Sequence, residues 1–191
     1  MLFVFVVLAH HRRRVIHFNV TEHPTAAWNA QQIREAFPED TAPRNLVRDR
    51  GPIYGECFRR RLRDMDITEV LTAPQSPWQN PVAEKLVGSI RRECVDPAIV
   101  LGERHLRRTL RGYFDYYLGS KTHLSLAEDA PTARVVQGPG AGEIVGIPTW
   151  VACTIATNGA LRNRLQPRPA VSLLEDCDVP RARGALVRSE A

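Results

Sequence analysis

A chain of 191 residues has room for one domain of ordinary size and an appendage. Its 43% apolar content is enough for a packed core, and 25% charged residues is typical of a soluble protein. The net charge of +5 makes an anionic partner plausible, while Cys57, Cys94, Cys153 and Cys177 lie far apart with no C-x-x-C pair, suggesting neither a zinc site nor a disulfide framework. Only Lys85 and Lys121 are lysine; arginine supplies the other basic residues. The planar guanidinium suits phosphate, although a GC-rich coding sequence gives the same bias.

Residues 2–8 form an apolar run rich in valine and phenylalanine, the pattern of a strand covered on both faces. The run is too short for a membrane span, and its charges follow rather than precede it, so it does not read as a targeting segment. "HHRRR" makes a polar turn. In "VIHFNVT", Ile16, Phe18 and Val20 alternate with polar residues, which marks a half-buried strand. Pro24 suits a helix start, and Ala26, Ala30, Ile33 and Phe37 line one stripe of that helix.

"RNLVRD" reads as a short strand ending at Asp49, and Tyr54, Phe58, Leu62 and Met65 build a second helix with Arg59, Arg60 and Arg63 outside. "ITEVLT" is another short strand, followed by the proline-rich loop "APQSPWQNP". A third helix runs from Pro81 to about Cys94. A fourth, near residues 103–117, buries Leu106, Leu110, Tyr113 and Tyr117 and shows a basic stripe of Arg104, Arg108 and Arg111. This alternation predicts an α/β sheet with helices packed on its faces. From Gln137 the pattern dissolves: "QGPGAGEIVGIPTW" is Gly/Pro-rich, and the remainder has no sustained period. The expected organisation is a core at 1–132, a linker at 133–148 and an irregular or disordered tail at 149–191.

On the third helix, Val82, Leu86, Val87, Ile90 and Cys94 gather on one side, and Glu84 falls away from them among Lys85, Arg91 and Arg92. Taken alone, Glu84 reads as part of a solvated helix face. Asp49 offers a second reading, because it ends a strand at a turn, where functional groups of open α/β sheets collect.

Together "VRDRGPIY", the 35-residue interval to Glu84, and "NPVAEKLVGSIRREC" resemble the core of retroviral-type integrases and bacterial insertion-sequence transposases, the DDE family. Asn80 and Glu84 fit its N-x-x-x-E context. Tyr117, His123 and Leu126 fit a downstream motif, with Lys121 and Thr122 standing where Arg and Pro are usual. The resemblance spans about residues 2–132. It implies an RNase H-like mixed sheet flanked by helices, and DNA integration or transposition by strand transfer with two Mg²⁺ or Mn²⁺ ions. It further implies that Asp49 and Glu84 are catalytic metal ligands. Lys85, Arg91 and Arg92 would hold DNA phosphates. Trp78 would stack on an unpaired base or anchor its loop, and His123 is a weaker DNA-binding candidate. The implied partners are DNA and a second copy or a full-length transposase, with no membrane. The implied location is a bacterial-type cytoplasm, at the nucleoid.

The family uses three carboxylates, and its first aspartate would lie on a strand before residues 2–8. The expectation is therefore a fold with its first central strand missing, two strands left with unpaired edges, and a transposase fragment that does not catalyse. Two alternatives stand beside it: a DNA-binding or transposase-regulating protein, and an active nuclease with another third ligand, Glu22 being the nearest candidate.

Overall fold

The computed structural model of the chain describes residues 1–38, 41–133 and 168–175. The apolar N-terminal run forms β1 (Phe3–Ala9), and a 3-10 turn at His11–Arg13 leads into β2 (Arg14–Thr21), antiparallel to it. Arg12 and Arg13 both hold φ of 55°, a left-handed backbone that non-glycine residues rarely adopt. Arg12 offsets that strain through its guanidinium, which donates to Pro131 O at 2.9 Å, Ala130 O at 2.7 Å and Asp129 Oδ2 at 2.6 Å. The hairpin tip thereby ties down the loop that follows the last helix.

Helix α1 (Ala26–Ala36) starts where the Thr25 hydroxyl accepts the Trp28 N–H at 3.1 Å, a cap worth about 1 kcal/mol. Next come β3 (Asn45–Arg48), α2 (Glu56–Asp64) and β4 (Thr68–Leu71), with β3 and β4 parallel as the α2 crossover requires. Helix α3 (Pro81–Ser89) continues into a wider π turn at Ile90–Val95, and α4 (Glu103–Gly119) closes the core. The third helix thus does not stay α-helical to Cys94 as its spacing suggested. The Asp96 N–H reaches back to Arg91 O at 2.8 Å, and the added residue lets both Cys94 and Val95 face the core.

The period of two in β1 divides the interior. Val4, Val6 and Leu8 pack with Leu86 of α3, Ile90 of the π turn, and Leu106, Leu110 and Tyr113 of α4. Phe5 and Val7 pack on the other face with Ile33, Phe58 and Leu62 of α1 and α2. The result is a mixed α/β sheet between two helical layers. The turn after β3 and the start of α3 come together at one end of it.

The sheet holds a fifth strand. Arg168–Glu175, inside the stretch expected to be irregular, forms β5, and the strand order is β2-β1-β5-β3-β4. It runs parallel to all of β1 and antiparallel to β3 over Asn45↔Glu175, Leu46↔Leu174 and Val47↔Leu173. The expected unpaired edges of β1 and β3 are therefore covered. A slot between two strands offers two rows of open backbone donors and acceptors, and "AVSLL" is suited to a strand enclosed on both sides. Apart from Ala133 and β5, the expected linker and tail lie outside the described residues.

Candidate functional site

Asp49 follows β3 directly and opens the turn into α2. Its Oδ1 accepts the Gly51 N–H at 3.0 Å, and Gly51 O accepts the Tyr54 N–H at 3.3 Å. A Cβ at position 51 would stand 3.1 Å from that same carboxylate oxygen, so glycine there keeps the aspartate uncrowded. Glu84 lies in the first turn of α3. Asn80 caps this helix, its Oδ1 accepting the Ala83 N–H at 3.4 Å, and Pro81 occupies the first helical position. The positive end of the helix dipole favours a carboxylate in this turn.

Asp49 and Glu84 line one cavity of about 520 Å³, whose wall also includes Arg50, Asn80, Arg91 and the loop from Thr72 to Pro77. Both carboxylates are exposed, and among the described residues neither takes part in an ion pair. Arg50 fastens the turn to the loop after β4 by donating from Nε to Thr72 O at 3.0 Å. Nothing in the sequence pattern singled out Arg50 beyond its place between Asp49 and Gly51.

Lys85, Arg92, Trp78 and His123 do not line this cavity. Lys85 and Arg92 are exposed on α3 and its π continuation, and the Arg92 guanidinium lies close over Gly88. Trp78 is 71% exposed on a 3-10 turn at Pro77–Gln79, next to the lining residue Pro77. His123 is elsewhere. Its ring meets Tyr117 edge-on at 5.0 Å, and its Nε2 is buried with no partner among the described residues. Burial first, then the charges of Arg13 and Lys121, hold its pKa below the ordinary value. Glu22 does not line the cavity; its backbone N–H donates to a Glu103 carboxylate oxygen.

One cluster escaped the sequence reading. Glu93 pairs with Lys121, accepts the Tyr113 hydroxyl at 3.3 Å, and shares Lys121 with Ser89 Oγ at 3.3 Å. These residues are far apart in the chain, and only the packing of α4 against the π turn joins them.

The donor set at the cavity is oxygen-only and open to water, which fits a hard dication such as Mg²⁺ or Mn²⁺ that keeps part of its hydration shell. No group of three or more His, Cys, Asp and Glu side chains placed to hold a metal occurs among the described residues. β5 does not bring a further carboxylate to this end of the sheet, because Glu175 stands in register with Asn45, at the opposite end of β3 from Asp49. No helix among the described residues is long and apolar enough to cross a membrane.

Comparison with known proteins finds no match among curated proteins. Among solved structures, the chain is similar to one in a cryo-EM structure of the simian T-cell lymphotropic virus intasome in complex with PP2A regulatory subunit B56 gamma. The TM-score is 0.46 at 12% identity, covering 76% of this chain and 59% of that one. Residues 65–131 match the integrase core domain family, a stretch that includes Trp78, Asn80, Glu84, Lys85, Arg91, Arg92 and His123 and leaves Asp49 outside. The matched stretch runs from the end of α2 to the loop after α4.

Proposed function

We propose that the Asp49–Glu84 cavity is part of a metal-dependent DNA strand-transfer site of the DDE transposase and integrase type. We propose further that the described carboxylates hold one divalent ion rather than two, so that this chain binds DNA without cutting or joining it. The observation that carries this reading is the meeting of Asp49 and Glu84 on one cavity wall with Arg50 and Arg91. A bound dication supplies Lewis acidity at a phosphoryl oxygen and a more acidic coordinated water. Asp49 and Glu84 supply the anionic oxygens that keep it in place, and the Gly51 amide orients Asp49. Arg50 and Arg91 offer guanidinium forks to phosphates entering the cavity, with Lys85 and Arg92 extending the basic surface along α3. Trp78, at the rim, presents an aromatic face to an unpaired base. Strand transfer of this kind draws on two ions held together by bridging carboxylate charge, and two ligands provide too little of it.

Plasmid nicking in Mg²⁺ and in Mn²⁺ tests the reading. The expected result is no nicking, with Mn²⁺ binding present and lost in Asp49→Asn and Glu84→Gln. Nicking by residues 1–191 that Glu84→Gln abolishes would overturn the one-ion site and require another ligand in the cavity.

A further inference from the structure

Arg48 is the one charged residue among the buried positions described, 4% exposed at the end of β3. A buried guanidinium adds little to stability beyond what an apolar side chain of similar size would give, so its presence asks for another reason. Its donors diverge. Nε donates to Glu69 Oε1 at 2.6 Å and Nη2 closes the ion pair with the same carboxylate. Nη1 turns the other way and donates to the backbone carbonyl of Asp49 at 2.6 Å. The guanidinium lies over the Tyr54 ring, 4.5 Å from its centroid, and 5.8 Å from that of Phe58. One side chain thus joins β4, through Glu69, and the start of α2, through the rings, to the peptide of Asp49.

Asp49 is consequently held at two points. Arg48 fixes its carbonyl and the Gly51 N–H fixes Oδ1 of its carboxylate. Neither Arg48 nor Glu69 lines the cavity. Resting on the metal-site reading above, we infer that the Arg48–Glu69 pair is a positioning device. It sets the backbone of Asp49 so that its carboxylate and that of Glu84 take the same divalent ion. Lysine cannot take over this role, since a single ammonium does not present rigidly divergent donors to Glu69 and to the Asp49 carbonyl.

The experiment measures Mn²⁺ affinity of the full chain by electron paramagnetic resonance, with thermal unfolding beside it. Arg48→Lys retains a cation for Glu69 and is expected to unfold near the wild-type temperature, yet to bind Mn²⁺ about tenfold more weakly. Arg48→Met should lose at least as much affinity. Glu69→Gln, at a half-buried position, should lose severalfold, and it decides the matter alone if both Arg48 variants fail to fold. Undiminished Mn²⁺ affinity in folded Arg48→Lys, or in Glu69→Gln when it decides alone, overturns the positioning role. In that case Asp49→Asn still reports on the site itself: its loss of Mn²⁺ binding leaves the site reading intact. Wild-type protein that binds no Mn²⁺, or binds it independently of Asp49, removes the site and the positioning role together.

Discussion

The Asp49–Glu84 cavity and the Glu93–Lys121 cluster both set carboxylates near basic side chains, and both draw on α3 and its continuation. They differ in where their charges are spent. Glu93 is matched within the protein by the Lys121 ammonium and the Tyr113 hydroxyl. Asp49 and Glu84 face an open cavity without a cationic partner among the described residues, although Arg50 and Arg91 share its wall. A charge neutralised by its own fold serves the fold. One left unmatched in a cavity keeps its full attraction for something that enters.

The largest expected difference is in DNA binding. If about four phosphates are neutralised, raising salt from 50 to 200 mM should weaken duplex binding by a factor on the order of 10². Replacing Arg50 and Arg91 together with alanine should lower the log–log salt slope by about two, while Lys121→Met leaves the slope alone. Fluorescence anisotropy across a salt series measures both. A slope that responds equally to Lys121 would erase the distinction between the regions.

Stability should show the reverse order. Lys121 and Glu93 are 18% and 36% exposed at their side chains, between the surface and the buried cases. Lys121→Met should accordingly cost about 1–2 kcal/mol, since it leaves Glu93 and the Ser89 hydroxyl without their cation. Glu84→Gln should change stability by less than about 0.5 kcal/mol, because the exposed glutamate matches no charge in the fold. Urea denaturation of the two variants beside the wild type checks the contrast. Equal losses would mean that Glu84 too is spent on folding.

How far these regions could be read in the sequence follows from how local their signals are. The alternation in "VIHFNVT" and the stripe Ala30, Ile33 and Phe37 are local, and the corresponding strand and helix stand where expected. Asp49 and Glu84 each sit at an element boundary with its own turn or cap residues, so the sequence offered both, and the structure sets them on one cavity. Arg48 was invisible. It looked like one more arginine, and its burial depends on Glu69 and Tyr54, which pattern alone does not bring to it. β5 was missed for a related reason. A strand enclosed on both sides needs no alternation, and its pairing depends on a slot built by residues more than a hundred positions earlier.

The smallest effect concerns His123, beside the paired cluster. Its ring packs on Tyr117, and Arg13, Lys121 and Lys85 oppose its protonation while Glu93 favours it; burial is the largest influence, and the net result is a lowered pKa. The unfolded chain, with histidine at its ordinary 6.5, takes up a proton at a pH where the folded chain does not. Protonation then favours unfolding. The contribution from a neutral His123 is fully present above 6.5 and falls away as the pH drops below that value toward the lowered folded pKa. The stability of wild type minus that of His123→Gln should therefore decline with acidification just below pH 6.5 and be flat above it. Mn²⁺ binding at the Asp49–Glu84 cavity, measured at neutral pH, should be the same in both proteins. A difference profile that rises on acidification would place a charged histidine in the fold. That would turn the cluster from a region that neutralises its own charges into one that, like the cavity, holds charge in reserve.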